Sequence, residues 1–316
     1  MPVSTDLAHL EALARELRVK IIEMLVHAKS GHPGGSLSAI DMLVALYFGG
    51  ILRHDPAQPY WQDRDRFVLS KGHCVPALYA VLAKAGYFPE SELLTLRKLG
   101  SRLQGHPYFH QPPDAEIVPG LEGSTGSLGQ GLSIAVGFAL GAKLASRDSR
   151  VYCMVGDGEC QTGQLWEAAM VAPKIRRPHY VLDNLTVLVD RNRIQNDDFV
   201  ENTLPLDPLL DKWASFGWAA REIKDGHDIG QILEGLDWAR SVTGQPAVLV
   251  AHTIKGKGVS FMENNPKWHG VAPAPAEGLQ AIREILGVAD AKWADYLGAH
   301  PEIAAIVNRI AALEKK

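Results

Sequence analysis

The segment Val151-Tyr-Cys-Met-Val-Gly-Asp-Gly-Glu159 constrains this chain more than any other. Its first five residues are hydrophobic without interruption, which reads as a short buried strand, and the run stops abruptly at Gly156-Asp157-Gly158. A helix is expected next, because Gly163 to Met170 carries Leu165, Trp166, Ala168, Ala169 and Met170 with no breaker. A second apolar strand, Leu185 to Val189, leads into Asp190 and Asn192, the latter 35 residues beyond Asp157. Strand, helix and strand in this order make a parallel pair, and open α/β sheets bind ligands outside the carboxyl ends of such strands. A carboxylate, a carboxamide and a backbone carbonyl there form a hard-oxygen set suited to magnesium and phosphate oxygens. Gly158 removes a side chain where a phosphate would come close, and a helix N-terminus behind it favours negative charge. Taken alone, Gly-Asp-Gly is also a common turn, with Asp157 capping a helix and Asn192 bending a loop.

The same alternation continues along the chain. Helices are expected over Asp6 to Lys29, Leu37 to Phe48, Leu78 to Ala85, Ser91 to Leu99, Gly129 to Leu144, Pro208 to Phe216 and Ile229 to Arg240. Strands are expected at Arg66 to Ser70, Ala220 to Ile223 and Ala247 to His252. Gly100 to Gly126 reads as a long irregular stretch, which in a compact domain points to function or to a missed element. The fold class is therefore α/β, with a doubly wound, mainly parallel sheet. Residues 1–275 read as one domain and 276–316 as a C-terminal helical tail with a charged end.

Composition narrows the function. With 46% hydrophobic and 22% charged residues the chain is of ordinary globular make-up. A net charge of −4 gives no electrostatic case for nucleic acid or an anionic membrane, and no apolar run approaches spanning length. No basic start with an apolar signal core is seen, and the three cysteines lack metal-ligand spacing, so a reducing cytoplasm is the expected location. Cys153 reads as an inert core residue. Cys160, close to Asp157, reads either as buried or as a reactive thiol.

Four histidines sit between small or turn-forming residues: Gly31-His32-Pro33-Gly34, Gly72-His73-Cys74, Gly105-His106-Pro107 and Trp268-His269-Gly270. Imidazoles placed so can donate, accept or carry protons near neutral pH, and singly each is as well explained as a turn residue. Gly126-Ser-Leu-Gly-Gln-Gly131 opens a helix as a phosphate cradle would, without the spacing of nucleotide-binding loops. Lys255-Gly-Lys-Gly258 reads as a phosphate contact or as a basic hairpin.

Taken in order, these motifs resemble the N-terminal, thiamine diphosphate-binding part of transketolases. The matching stretches are Ser30-Gly-His-Pro-Gly34, Ser70-Lys-Gly-His73, Gly105-His-Pro107, Gly126-Ser-Leu-Gly-Gln-Gly131, Gly156-Asp-Gly158, Asp190-Arg-Asn-Arg-Ile194 and Trp268-His-Gly270. The resemblance implies a thiamine diphosphate-binding fold, with magnesium, or calcium or manganese in its place, held by Asp157, Asn192 and the Ile194 carbonyl. It implies cofactor contacts from His73, Gly126, Ser127, Leu128, Gly158 and Asn192. His32, His106 and His269 would line the channel, touch a sugar phosphate and move protons during two-carbon ketol transfer.

Whole transketolases run about twice this length and add pyrimidine-binding and C-terminal domains, which hold the glutamate that activates the cofactor. The chain is therefore similar to the N-terminal subunit of a split transketolase, expected to form a heterotetramer with a second, complementary subunit. One departure stands out: Thr162 occupies a position where split members usually carry glutamate, while Glu159 and Glu167 remain. The resemblance places those glutamates at the subunit interface. A deoxyxylulose phosphate synthase-like or 2-oxoacid dehydrogenase E1-like subunit, and a non-catalytic paralogue, are the alternative readings.

Overall fold

In the computed structural model, which describes residues 6–110, 117–174 and 180–314, five parallel strands form one sheet. They are β1 (Arg66–Leu69), β2 (Val151–Gly156), β3 (Leu185–Arg191), β4 (Ala219–Ile223) and β5 (Ala247–His252), ordered β1-β2-β3-β5-β4. Helices α1 (Leu7–Ala28), α2 (Pro33–Phe48), α3 (Val75–Ala85), α4 (Gln130–Leu144) and α5 (Gly163–Val171) belong to the first part of the chain. Helices α6 (Val200–Thr203), α7 (Leu209–Ser215), α8 (Ile229–Ser241), α9 (Pro275–Leu286), α10 (Trp293–Ala299) and α11 (Pro301–Ala311) follow.

The strands explain why helices cover both faces. Successive strand side chains point to opposite faces, and here both sets are apolar. Tyr152, Met154, Leu188, Leu249 and Ala251 join one buried cluster with α1, α2, α3, α8, α9 and α11. Cys153, Val155, Val187, Val189, Val248 and Val250 join the other, with α4, α5 and α7. The expected doubly wound architecture is thus realised, with every strand pairing parallel.

Two of the differences from the helices read in the sequence have identifiable reasons. Helix α2 starts at Pro33 rather than Leu37, since a proline at the first helical position loses no hydrogen bond. Its two glycines serve close packing: a Cβ on Gly35 would lie 2.5 Å from Cys74 Sγ, and one on Gly34 2.9 Å from Lys255 Cγ. The helix expected over Ser91 to Leu99 is a 3-10 segment, Glu90–Thr95, followed by Arg97 in the left-handed region. The irregular stretch from Gly100 to Gly126 and the charged end at Lys316 lie partly outside the described residues.

Beyond residue 275 the chain is helical, and it is packed into the first cluster rather than free of it. Ala281, Ile282 and Ile285 of α9 and Ile303, Ile306 and Ile310 of α11 are buried among α1 residues. Ile306, 2% exposed, gives a direct test. Ile306→Ala should cost about 2–5 kcal/mol in chemical denaturation, the range for emptying a core position. A cost near zero would mean that these helices form an appendage independent of the sheet.

Candidate active site

The carboxyl ends of four strands converge on one cavity of about 270 Å³. Strand β1 delivers Lys71 and His73, β2 delivers Asp157 to Glu159, β3 delivers Asn192 and Ile194 to Asn196, and β5 delivers Lys255. The cap of α2 adds His32, and three irregular segments add His106, Gly126 with Leu128, and His269. Of the residues expected from the sequence, Ser127 alone does not line the cavity: it is exposed, between two residues that do.

Asp157 is 1% exposed and sits where β2 ends. Its Oδ1 accepts the Gly158 N–H at 2.8 Å, and its Oδ2 accepts the Arg193 N–H at 2.5 Å and the Arg191 guanidinium at 3.4 Å. Burial, and then the nearby Asp190 carboxylate, still raise its pKa to about 6. Its charge is therefore undercompensated, and an added cation would relieve it. The Asn192 Oδ1 accepts the Ile194 N–H at 3.1 Å, and the Ile194 carbonyl accepts the Lys255 ammonium at 2.8 Å. Each of these oxygens keeps acceptor capacity beyond the bond it makes, so the three residues fit a hard divalent cation. Gly158 lines the cavity and also makes room within the chain. A Cβ there would meet Gln195 Cβ at 2.6 Å, so the close approach it permits is that of the segment after Ile194.

Beneath the cavity lies a network that sequence reasoning did not find. Asp190 is fully buried and accepts from Lys71, Thr253, Ser38 at 2.6 Å and Asn192 at 3.1 Å. Burial alone would raise this carboxyl, and the Lys71 ammonium beside it brings it below the usual range. Asp190 therefore orients Asn192 and does not itself face the cavity. Lys71 comes from a motif noticed for its histidine; its place in the cavity lining and its contact with Asp190 mark it.

Lys255, read in the sequence as a phosphate contact or part of a basic hairpin, lines the cavity. The side chain is buried, and burial lowers its ammonium to about 8. It donates to the Ile194 carbonyl and, at 2.7 Å, to His269 Nδ1. Since an ammonium can only donate, neutral His269 carries its proton on Nε2.

The four histidines do form one cleft. Ring centroids of His32 lie 5.2 Å from His73, 6.1 Å from His106 and 5.5 Å from His269, and His73 lies 5.0 Å from His269. Burial, then neighbouring cations and imidazoles, lower His32 to about 4 and His269 to about 3. The same causes take His73 well below its ordinary value, and burial followed by Arg97 lowers His106. All four rings are neutral at physiological pH. The His32 Nδ1 is buried with no partner among the described residues, a free polar atom in the cleft wall.

Glu159 is buried and Thr162 half-buried. Glu159 is 2% exposed, accepts from Ser70, from the Gly129 N–H at 2.7 Å and from the Gly156 N–H at 3.1 Å. Thr162 donates its hydroxyl to the Glu159 carbonyl at 2.8 Å, closing the 3-10 turn Gly158–Gln161, and a Cβ on Gly129 would meet that hydroxyl at 2.4 Å. Threonine thus fills a place where α4 begins. Cys160 is buried, and burial raises its thiol well above the ordinary value, which favours the inert reading.

Comparison with known proteins agrees with this geometry. Residues 10–301 match the family described as "Transketolase, thiamine diphosphate binding domain". The chain is 40% identical over 278 residues to an apulose-4-phosphate transketolase subunit of Phocaeicola vulgatus, covering 87% of this chain and 93% of that protein. It is 42% identical over 280 residues to the 6-deoxy-6-sulfo-D-fructose transketolase subunit SqwG of a Clostridium species, covering 89% and 96%. The crystal structure of transketolase from Campylobacter jejuni superposes with a TM-score of 0.80 at 30% identity, covering 90% of this chain and 43% of that one. The chain thus spans less than half of that solved transketolase and nearly the whole of the two named subunits.

The neutral histidines tie stability to pH. An unfolded chain protonates these rings near 6.5, whereas in the fold His32 and His269 hold off until about 4 and about 3. Between those limits the unfolded state binds more protons, so stability present above 6.5 is lost as pH falls. Thermal melts from about pH 7 to about pH 5 should show a falling Tm, with a shallower slope in the His32→Asn, His269→Asn double variant. Identical slopes would contradict the neutral cleft.

Proposed function

We propose a function on the premise that follows from these matches: the chain belongs to the transketolase family. In our reading it is the N-terminal subunit of a two-subunit transketolase that uses thiamine diphosphate and magnesium to transfer a two-carbon ketol group. The donor would be an anion-bearing ketose, the acceptor an aldose. The observation carrying this reading is the convergence of Asp157, Asn192, the Ile194 carbonyl, Lys255 and four neutral histidines on one cavity.

Asp157, Asn192 and Ile194 would hold the metal, while Gly158 and Asn192 would face the diphosphate. Lys255 supplies a buried positive charge to the same wall, which a diphosphate needs. His73 and the turn Gly126 to Leu128 would contact the cofactor across the cavity. When bound, thiamine diphosphate supplies the nucleophilic carbon that breaks and makes the carbon–carbon bond. The protein supplies position and proton movement. Neutral His32 and His106 can accept a proton from a sugar hydroxyl, while His269, whose Nδ1 takes the Lys255 ammonium, can donate a hydrogen bond from Nε2 to a developing alkoxide.

A partner is part of this reading. Both named relatives are subunits, and this chain presents apolar side chains near the cavity and on neighbouring helices: Leu128 is 39% exposed, Met170 45% and Val171 51%. On α4, Ser133, Gly137 and Gly141 form an exposed stripe where a second backbone can come close. We propose a partner that carries the pyrimidine-binding and C-terminal domains, in a heterotetramer.

Two experiments test the proposal. Asp157→Ala should abolish magnesium-dependent thiamine diphosphate binding in calorimetry while the circular dichroism spectrum is retained. Unchanged cofactor affinity would remove the metal assignment. The chain purified alone, saturated with cofactor and magnesium, should transfer no ketol group from a ketose phosphate or sulfonate, and should gain activity with its partner. Full turnover without a second polypeptide would refute the subunit reading.

A further inference from the structure

Arg97 does not line the cavity, yet it touches two of the segments that do. It follows the 3-10 segment Glu90–Thr95 with φ of 58°, and its N–H donates to the Leu103 carbonyl at 2.9 Å. Its Nη1 donates to Ser30 Oγ at 2.7 Å, two residues before His32. The rest of the guanidinium lies over Gly105, next to His106: a Cβ on Gly105 would sit 2.4 Å from Nε and 2.6 Å from Cζ. His106 in turn packs on Gly126, where φ is 136° and a Cβ would meet its Cδ2 at 2.7 Å. A continuous row, Ser30, Arg97, Gly105, His106 and Gly126, therefore runs from the cap of α2 to the turn on the cofactor side.

We propose that Arg97 is a positioning residue that fixes the His32 and His106 segments against each other and so sets the spacing of the two imidazoles. The inference rests on the reading of those histidines as substrate-facing groups. A guanidinium suits the task because its planar fork can donate at one edge while its face and opposite edge pack on backbone, which a lysine ammonium cannot do. No carboxylate pairs with Arg97 among the described residues, so its field reaches both rings, where it acts after burial to keep them neutral. His32 is also faced by His73, His106, His269 and Lys255, and His106 by His32.

The test uses Arg97→Met, Arg97→Lys and Gly105→Ala, the last placing a methyl group where the guanidinium now lies. In the full-length chain, nuclear magnetic resonance titration of the His32 and His106 rings needs no turnover. Both midpoints should rise in Arg97→Met and rise less in Arg97→Lys, which keeps the charge. In the assembled enzyme, kcat should fall on the order of tenfold to a hundredfold in all three variants, the scale expected for misplaced groups, with thiamine diphosphate affinity unchanged. Full rate in Arg97→Lys would overturn the proposal, because charge alone would then suffice. So would unaltered titration and rate in both Arg97→Met and Gly105→Ala. If the wild-type assembly transfers no ketol group while the titrations move as expected, the functional reading fails and the placement of the two rings by Arg97 stands.

Discussion

The buried contact between Lys71 and Asp190 is the constraint on which the site depends. It joins the end of β1 to the end of β3, and the same carboxylate gathers Ser38 from α2, Thr253 from beyond β5 and Asn192. Desolvating two charges offsets most of their attraction, so the pair adds little to net stability. Losing one partner is another matter, since the remaining buried charge costs about 3–5 kcal/mol. The network thus specifies an arrangement: three strand ends and one helix start cannot move apart without exposing an unpaired ion to an apolar core. Asn192 faces the cavity because its Nδ2 is spent on Asp190, which turns its Oδ1 outward.

From this base the electrostatics of the cavity follow. Its lining brings together the oxygens of Asp157, Asn192 and Ile194, the ammonium groups of Lys71 and Lys255, and four uncharged imidazoles, with His269 against Lys255. Burial acts in opposite senses on the two kinds of group, raising Asp157 to about 6 and lowering Lys255 to about 8. Both groups stay charged at neutral pH, with pKa values drawn toward it, in a place suited to a cation and a polyanion.

Much of this was legible in the sequence, and the reasons are specific. The strands at Val151 and Leu185 are apolar on both faces, so their type and burial could be read directly, and strand ends in α/β sheets are where ligands collect. Local pattern also brought out all four histidines, because glycine and proline bracket each of them. The start of α2 at Pro33 was not readable, since Gly34 and Gly35 look like breakers until Lys255 and Cys74 are seen pressing on them. Lys71, Ser38 and Thr253 escaped for a related reason: their partner, Asp190, is brought to them by the sheet alone, from as far as 152 residues along the chain. The same holds for Arg97, whose neighbours Ser30 and Gly105 come from either side of it in the chain.

Glu159 carries one more consequence. Its carboxylate is shared between the turn that bears Asp157, the serine ending β1 and the first N–H of the segment leading into α4. The outward stripe of α4 and the turn that bears Asp157 are therefore parts of one stiff body, indexed to each other by a single buried group. A protein docking on that helix would meet a surface already in register with the cavity, so that complex formation could close the site without first remodelling it.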